Sequence, residues 1–361
     1  MFREPSGNFR LRGRRDLCSK SYSSEDLSGI SATLWVKTLP IGVLRKFGAG
    51  RILTKEFLRA GLLYKDIVGE FDDTDLTAAG KNSGLKQLGE RVKNGKTFDT
   101  CRILHIDLGT QPRLLISGTT IRMSLLKAKD EFTPLVKIGA YRLQDENRSL
   151  FIRKCDMSSP IVVGHKKALE QSLIQMPFTR IETKIFTLSC GLKSVIILNA
   201  VNGILPSRKI TGLMSNAPFN GDFKKNPFNL KNYNLSYISL SENGVQISIT
   251  SYTPSCKNDL FARNYLSLFR DLAQHNTNVT LEEYKDNTCF YAFDLTQDFS
   301  ASGPFVNVAR SGVISIHLKF HEDLPETVTL LVYMEIQSLI EIDKSRNIFT
   351  RVALIIMAKI F

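Results

Sequence analysis

The sequence predicts an all-β protein of the sandwich or jelly-roll class. Apolar and polar residues alternate along many short segments, which is the pattern of half-buried strands. Loops with turn-forming residues separate the segments, whereas a βαβ protein would place a helical pattern between successive strands. The chain has 361 residues, of which 43% are hydrophobic, so it can form one large or two ordinary domains with buried cores.

The first segment, residues 1–31, mixes Arg, Gly and Ser with few apolar residues. It cannot bury enough surface to offset the entropy lost on ordering, and we expect a flexible basic arm. A solvated leader without a partner is the alternative. The candidates for contact with nucleic acid, or for a nuclear-import signal, are Arg3, Arg10, Arg12, Arg14 and Arg15.

Strand patterns become clear from Cys101 onward. The strands predicted in this part of the chain are 101–109, 113–118, 120–127 and 149–156. Between residues 161 and 175 the pattern becomes helical, with Ser159 as a candidate N-cap and Pro160 at the first helical position. This helix is the best internal boundary of the chain.

Strand patterns resume beyond the helix. The predicted segments are 180–188, 236–241, 246–250, 312–320 and 327–335. Asn243 and Gly244 stand between two of these segments, and both residue types tolerate the positive φ of a tight turn. We therefore expect a hairpin there.

No motif for catalysis or cofactor binding is visible in the sequence, which lacks a phosphate-binding glycine loop. His317 and His321 are the nearest candidates for metal ligands, but on a strand they would lie about 13 Å apart. Asp294 and Asp298 suggest a pair of catalytic carboxylates, yet Asp beside strand ends commonly accepts hydrogen bonds from turn amides. We predict no enzymatic activity, no metal site and no cofactor.

The formal net charge of +13 makes a polyanion the natural electrostatic partner, nucleic acid before an anionic membrane. The six cysteines are dispersed without metal-site spacing, and we expect reduced thiols. No stretch approaches the roughly 20 apolar residues of a membrane-spanning helix. Arginines interrupt the apolar core that a secretory signal needs, so we expect an intracellular protein.

Several distinctive blocks follow one another in the chain. Residues 203–210 precede the longest block, 216–237, which reads NAPFNGDFKKNPFNLKNYNLSY. Later blocks are YAFDLTQDFS at 291–300 and EIQSLIEIDKSRNI at 335–348, and earlier ones lie at 63–66, 102–108, 113–118 and 127–130. Together they resemble the capsid proteins of Polinton (Maverick) virus-like transposons of animal genomes, of the double jelly-roll major type.

The resemblance implies two jelly-roll sandwich lobes, the first of them incomplete. The implied divisions are a basic arm at 1–31, a partial first jelly roll at 32–160, a linking helix at 161–177, a second jelly roll at 178–349 and an apolar tail at 350–361. The family has more sequence ahead of the block at 63–66, so missing early strands would leave an unpaired sheet edge. Such a chain would be a decayed or domesticated copy.

The same resemblance implies a structural role through trimers, with penton-type capsid proteins as further partners and with the nucleus or virus-like particles as the location. The expected loop or assembly residues are Phe219, Asn220, Gly221, Phe223, Asn226, Pro227, Phe228 and Tyr233. Further residues of the family motifs are Asp294, Asp298, Glu341 and Asp343. For each aromatic residue, ordinary core packing is the alternative.

Two other functions stay open on the residues alone. The first is a nucleic-acid-binding module that uses the basic arm and the polar, basic segment 81–96, although no RNA-binding motif is present. The second is a lectin-like sandwich that binds a carbohydrate or a receptor, since jelly rolls also serve as lectins.

Overall fold

The computed structural model describes residues 155–247, 251–270, 279–301 and 309–350 as long segments. Shorter described pieces are 10–13, 21–22, 31–33, 72, 86–87, 89–90, 97, 106–111, 114–119, 122–129, 132, 149–152 and 357–360. Most of the predicted first lobe lies outside the described residues, as do Arg3, Arg14 and Arg15 of the predicted arm.

The described part begins with short strands and helices. The strands are β1 (Arg10–Gly13), β2 (Ser21–Tyr22), β3 (Ser31–Thr33), β4 (Arg122–Lys127) and β5 (Ser149–Ile152). The helices are α1 (Asp107–Thr110) and α2 (Ser159–Gln171). β1 pairs with β2 and with β5, so residues 10–13 and 21–22 of the predicted flexible arm form strands. Backbone hydrogen bonds hold these strands together, and such bonds do not depend on apolar side chains.

The main body follows α2. Its strands are β6 (Ile174–Leu188), β7 (Ser194–Ile204), β8 (Arg208–Ser215), β9 (Leu235–Glu242), β10 (Val245–Gln246), β11 (Phe290–Asp294), β12 (Ser311–Phe320) and β13 (Val328–Ile342). Its helices are α3 (Asn216–Gly221), α4 (Ala262–Arg270) and α5 (Leu281–Asp286). β14 (Ile348–Thr350) pairs with the end of β13, and β15 (Met357–Ile360) pairs with β4.

Strands β6 to β13 form two facing sheets. One sheet has the order β11-β8-β13-β6, and the other has the order β10-β9-β12-β7. Apart from the β9–β10 hairpin, consecutive strands lie in opposite sheets, and the first strand pairs with the last. This is the strand order of a jelly roll, so the predicted all-β sandwich class is confirmed.

The main core lies between the two sheets. On β12, the buried residues Ile314, Ile316 and Leu318 alternate with the more polar outer residues, as a strand with one buried face requires. Their partners on β9 include Leu240 opposite Ile316 and Ile238 opposite Leu318. Strand β8, by contrast, is buried along its whole length.

The predicted helix is present, with different bounds. The N-cap is Ser158 and not Ser159, and Pro160 lies in the first turn. Residues 174–177, predicted as helix, instead begin β6, because their backbone continues the antiparallel pairing with β13 as far as Ile174 opposite Ile342. Long-range pairing therefore overrides the local helical pattern.

Two predicted strands ahead of this helix are wrong where the structure describes them. Residues 107–110 form α1, and residues 114–119 form turns and irregular backbone. Their apolar side chains Leu108, Leu115 and Ile116 pack against the small core cluster at the end of the β6/β13 pair. Burial against that pair, and not membership of a sheet, accounts for the apolar pattern.

The hairpin prediction is confirmed. Asn243 and Gly244 have φ values of 51° and 84° and connect β9 to β10. β10 is shorter than predicted, since Ile247 has irregular backbone and residues 248–250 lie outside the described part. Of the predicted strand 149–156, residues 149–152 form β5, residues 153–154 lie outside the described part, and residues 155–156 are irregular. β6, β9 and β12 contain the strands predicted for them. β13 begins one residue later than predicted, and β4 covers residues 122–127 of the predicted 120–127, whose first two residues lie outside the described part.

Candidate functional site

The most distinctive sequence block, residues 216–234, forms the connection from β8 to β9. It is named the β8–β9 segment here. α3 begins it directly after Ser215 and ends at Gly221, whose φ of 117° strongly favours glycine. Phe219 packs against the main core, whereas Asn220 is exposed. Phe223 is half-buried.

Side-chain oxygens set three successive turns in the β8–β9 segment. Asp222 Oδ1 accepts a hydrogen bond from the Lys224 amide at 2.9 Å. Asn226 Oδ1 accepts one from the Phe228 amide at 3.0 Å, and Asn232 Oδ1 accepts one from the Asn234 amide at 2.9 Å. Each is an Asx turn, so the Asn- and Asp-rich composition of the segment has a local structural cause.

Asp72 fixes the middle of the β8–β9 segment from a distant part of the chain. Its Oδ1 accepts a hydrogen bond from the Asn226 amide at 2.7 Å, and its Oδ2 accepts one from Asn229 Nδ2 at 2.9 Å. Phe228 meets Phe132 edge to face, with 5.6 Å between the ring centroids. Sequence reasoning missed Asp72 and Phe132, because neither belongs to a recognisable local pattern.

A shared carboxylate closes the two ends of the β8–β9 segment. Tyr233 Oη donates to Glu326 Oε1 at 2.8 Å, and Ser215 Oγ donates to Glu326 Oε2 at 2.8 Å. Burial raises the pKa of Tyr233, and the hydrogen bond to Glu326 adds to the shift, so its hydroxyl stays a donor. Pro227, also predicted for this region, is buried. The assembly role of these residues stays a prediction.

The motif residues Asp294 and Asp298 act as turn acceptors, as the sequence indicated. Asp294 Oδ1 accepts hydrogen bonds from the Thr296 amide at 2.9 Å and from Thr296 Oγ1 at 2.6 Å. Its Oδ2 accepts one from the Ala301 amide at 3.1 Å. Asp298 Oδ1 accepts one from the Ser300 amide at 3.2 Å, and hydrogen bonding with Ser300 lowers the pKa of the exposed Asp298.

The second motif pair lies at the far end of β13. Glu341 Oε1 accepts a hydrogen bond from Gln175 Nε2 across the β6/β13 pair, at 3.0 Å on the surface. Asp343 Oδ1 and Oδ2 accept hydrogen bonds from the amide and the side chain of Asn347, at 2.8 and 2.9 Å. The two hydrogen bonds of Asp343 shape the turn from β13 to β14.

A buried ion pair joins two strands of the larger sheet. Arg208 Nη1 of β8 lies 2.9 Å from Glu335 Oε2 of β13, and both side chains are almost fully buried. Tyr333 Oη donates to Glu335 Oε1 at 3.2 Å. Burial raises the pKa of Glu335 despite the opposing influence of Arg208 and Tyr333.

The outer face of the smaller sheet carries His317 and two exposed apolar residues. His317 lies on β12, and its ring centroid is 5.4 Å from that of Tyr237. Partial burial lowers the pKa of His317, and the nearby charge of Lys319 lowers it further. Ile196 and Leu198 of the edge strand β7 expose 58% and 73% of their surfaces. His321 lies beyond the end of β12. Among the described residues, no group of three or more His, Cys, Asp or Glu side chains is arranged to hold a metal.

The described cysteines are unpaired thiols. Cys155 and Cys190 are exposed, while Cys256 and Cys289 are buried. Burial raises the pKa of Cys289 to about 12, so it is not a ready nucleophile. Within the described helices, none is long and apolar enough to cross a membrane.

No family model matches the chain. An uncharacterised protein of Caenorhabditis elegans is 23% identical over 316 residues, which is 81% of this chain and 73% of that protein.

Among solved structures, the chain is similar to the capsid of the virus PBCV-1, with 8% identity, a TM-score of 0.35 and coverage of 53% of this chain and 54% of that chain. It is also similar to a chain of the virophage Sputnik, with 11% identity, a TM-score of 0.34 and coverage of 51% and 39%. The matched region is thus about half of the PBCV-1 chain and about two fifths of the Sputnik chain.

Proposed function

We propose that this chain is a capsid-like structural protein of a Polinton-type virus-like element, or a descendant of one. Its function would be self-association and not catalysis. The observation that carries the proposal is the β8–β9 segment: the block that most resembles the capsid family is folded onto a sandwich with jelly-roll strand order. The domain division at 32–160 and 178–349, and trimers as the assembly unit, belong to this proposal.

A rigid β8–β9 segment suits an assembly role, because a contact surface held in one conformation loses little entropy on association. Three Asx turns and two distant carboxylates, Asp72 and Glu326, hold this connection in place. Its aromatic residues Phe219 and Tyr233 serve the sandwich, while Asn220, Lys224 and Lys225 are exposed at its tip. These exposed residues are the part available to a neighbouring subunit.

Mass measurement by light scattering after size-exclusion chromatography tests the proposal on the full chain, with negative-stain microscopy of the same fractions. We expect trimers at micromolar concentration. Asp72→Ala should weaken the trimer while the sandwich still unfolds cooperatively, and Asp156→Ala, at an exposed aspartate, should not. A strictly monomeric wild-type chain at all concentrations would overturn the proposal.

A contact with nucleic acid is a second candidate, and the net charge of +13 favours it. In this proposal the arginines of the arm neutralise phosphates, either of packaged DNA or of nuclear DNA. Penton-type partners and a location in the nucleus or in virus-like particles belong to the first proposal, that of a capsid-like protein.

A further inference from the structure

Lys209 lies inside the sandwich. It belongs to β8, the strand between β11 and β13, where its neighbours across the sheet are Phe293 and Met334. Paired residues of antiparallel strands share one face of the sheet. The Phe293 ring lies 5.3 Å from the Tyr252 ring, and Tyr252 pairs with Ile238 of the opposite sheet. The Lys209 side chain therefore lies on the face that is turned toward that opposite sheet.

The amine of Lys209 has no counter-charge and no acceptor among the described residues. The residue is 0% exposed, and its Nζ makes no hydrogen bond to any of them. The next residue on the same face, Thr211, also has a buried hydroxyl without a partner in the described part. An ammonium in such a place loses its hydration without replacement, whereas a neutral amine loses much less.

The charged and titratable groups on the surrounding elements do not compensate a charge on Lys209. Glu182 of β6 pairs with Met334 and so lies on the same face of the sheet as Lys209, but its carboxylate is paired with Arg180 at 3.0 Å. The other such groups are Lys184 of β6, Tyr291 of β11, Tyr252, and Arg263 stacked on Tyr252. The facing residues of β13 are apolar. On the opposite sheet, Glu242 of β9 shares the inner face with Ile314, but its carboxylate is paired with Arg310 at 3.0 Å. Arg208, Asp294 and Glu335 occupy the other face of the larger sheet.

We propose that Lys209 is an acid-sensitive element built into the sandwich: the folded chain holds this amine neutral, and its protonation on acidification destabilises the packing of the two sheets. Burial lowers the pKa of Lys209 well below its ordinary value. The Phe293 ring, 5.5 Å from Nζ, attracts an ammonium less strongly than water does, so the ring does not retain the proton.

The direction of the pH effect follows from proton binding. An unfolded lysine has a pKa of about 10.4. Under this proposal, between the lowered pKa of the folded chain and about pH 10.4, the unfolded chain therefore carries a proton on residue 209 that the folded chain lacks. Unfolding then takes up one proton, and stability rises with pH up to about 10.4. For one proton, the unfolding constant changes up to about tenfold per pH unit.

The test is urea unfolding of the full chain between pH 6 and pH 9. Wild type should become more stable with pH more steeply than Lys209→Met, by up to about tenfold per pH unit in the unfolding constant. The control Lys166→Met, at an exposed lysine of α2, should follow wild type. Parallel curves for wild type and Lys209→Met would overturn the proposal.

A second measurement does not depend on whether Lys209→Met folds. In the wild-type chain labelled with ¹³C at lysine Cε, one resonance should titrate well below the rest, and it should be absent from the spectrum of Lys209→Arg. Arginine cannot lose its charge, so Lys209→Arg should also be less stable than wild type at every pH tested. If every lysine resonance titrates near pH 10.4, the amine is charged in the folded chain and the proposal is wrong.

Discussion

Tyr233 donates a hydrogen bond to Glu326 across 2.8 Å and so fastens the end of the β8–β9 segment to the turn that precedes β13. Tyr233 and the following Asn234 both have positive φ, at 46° and 50°, so the backbone reaches this contact through an unfavourable conformation. Ser215, at the other end of the segment, donates to the same carboxylate. Glu326 therefore holds both ends of the connection.

Tyr233→Phe tests this fastening. It removes one hydrogen bond to a carboxylate, and we expect a loss of about 1.5 kcal/mol in the free energy of unfolding at pH 7. Partial burial opposes ionisation of Glu326, but hydrogen bonds from Ser215 and Tyr233 lower its pKa. A lowered carboxyl pKa contributes stability above the unfolded value of about 4.3 and loses it as pH falls through the folded value. The difference from wild type should therefore shrink below about pH 4.

Urea unfolding at pH 7 and pH 3.5 measures this effect. Tyr237→Phe is the matched control, since the Tyr237 hydroxyl accepts an exposed hydrogen bond from Gln246 and contacts no carboxylate among the described residues. Equal stability of Tyr233→Phe and Tyr237→Phe at pH 7 would contradict the prediction.

The ion pair between Arg208 and Glu335 makes a second prediction. Arg208→Met leaves the buried Glu335 carboxylate without its cation, and we expect a loss of about 3 kcal/mol at pH 7. The double variant Arg208→Met/Glu335→Leu should recover much of this loss, because both charges are then gone. A double-mutant cycle by urea unfolding separates the two effects, and additive losses would show that the pair is not coupled.

The stability of Arg208→Met should also depend on pH in a predictable direction. Burial already raises the pKa of Glu335, and removal of Arg208 takes away the main influence that lowers it. A raised carboxyl pKa favours the folded chain at low pH, and this advantage is lost as pH rises through the folded value. Arg208→Met should therefore regain stability relative to wild type between pH 7 and pH 5.

Asp294 and Asp298 provide a matched comparison within one motif. Asp294→Ala removes three hydrogen bonds from a buried carboxylate and should lower the free energy of unfolding by about 3 kcal/mol. Asp298→Ala removes an acceptor of local hydrogen bonds, among them the one from the Ser300 amide, from an exposed side chain and should leave the thermal midpoint almost unchanged. Differential scanning calorimetry of both variants measures the thermal midpoints and the stabilities that test this difference. A comparable loss of stability in both would mean that the buried turn is not the source of the effect.

The basic arm gives a prediction about binding. Replacement of Arg3, Arg14 and Arg15 by Gln should weaken association with DNA at low salt, and the dependence of log affinity on log salt should fall by about 0.9 for each phosphate that the arm no longer neutralises. Replacement of the exposed lysines Lys166, Lys167 and Lys224 by Gln removes the same charge and is the control. Fluorescence anisotropy at several salt concentrations measures both. Identical salt dependence of the two variants would show that the arm has no special role.

Local patterns predicted elements whose two faces differ. The alternation around Ile314, Ile316 and Leu318 predicted β12, because one face of that strand is buried and the other meets water. Asn243 and Gly244 predicted the hairpin, because their backbone tolerance is a property of the residues themselves. The turn role of Asp294 was predictable for the same reason, since its carboxylate accepts hydrogen bonds from amides only a few residues away.

Elements buried on both faces were not predictable in this way. Strand β8 has no alternation because the facing sheet covers one side, while the Leu230 side chain covers the opposite side at Gly212. The start of β6 was predicted as helix, because only its pairing with β13 makes residues 174–177 a strand. The hydrogen bond between Asp72 and Asn226 joins residues 154 positions apart, and no local period encodes it.

The sequence by itself therefore determined the all-β class, the hairpin turn at Asn243 and Gly244, and the turn role of Asp294, because each depends on side chains and backbone within a few residues. The tertiary structure decided which carboxylates hold the β8–β9 segment, which charges pair, and that Lys209 is enclosed without a hydrogen-bond acceptor among the described residues. The physical reason is that burial and pairing in a jelly roll depend on strand order. Strand β8 lies between β11 and β13, whose sequences come long after its own, so the surroundings of Lys209 exist only in the folded chain.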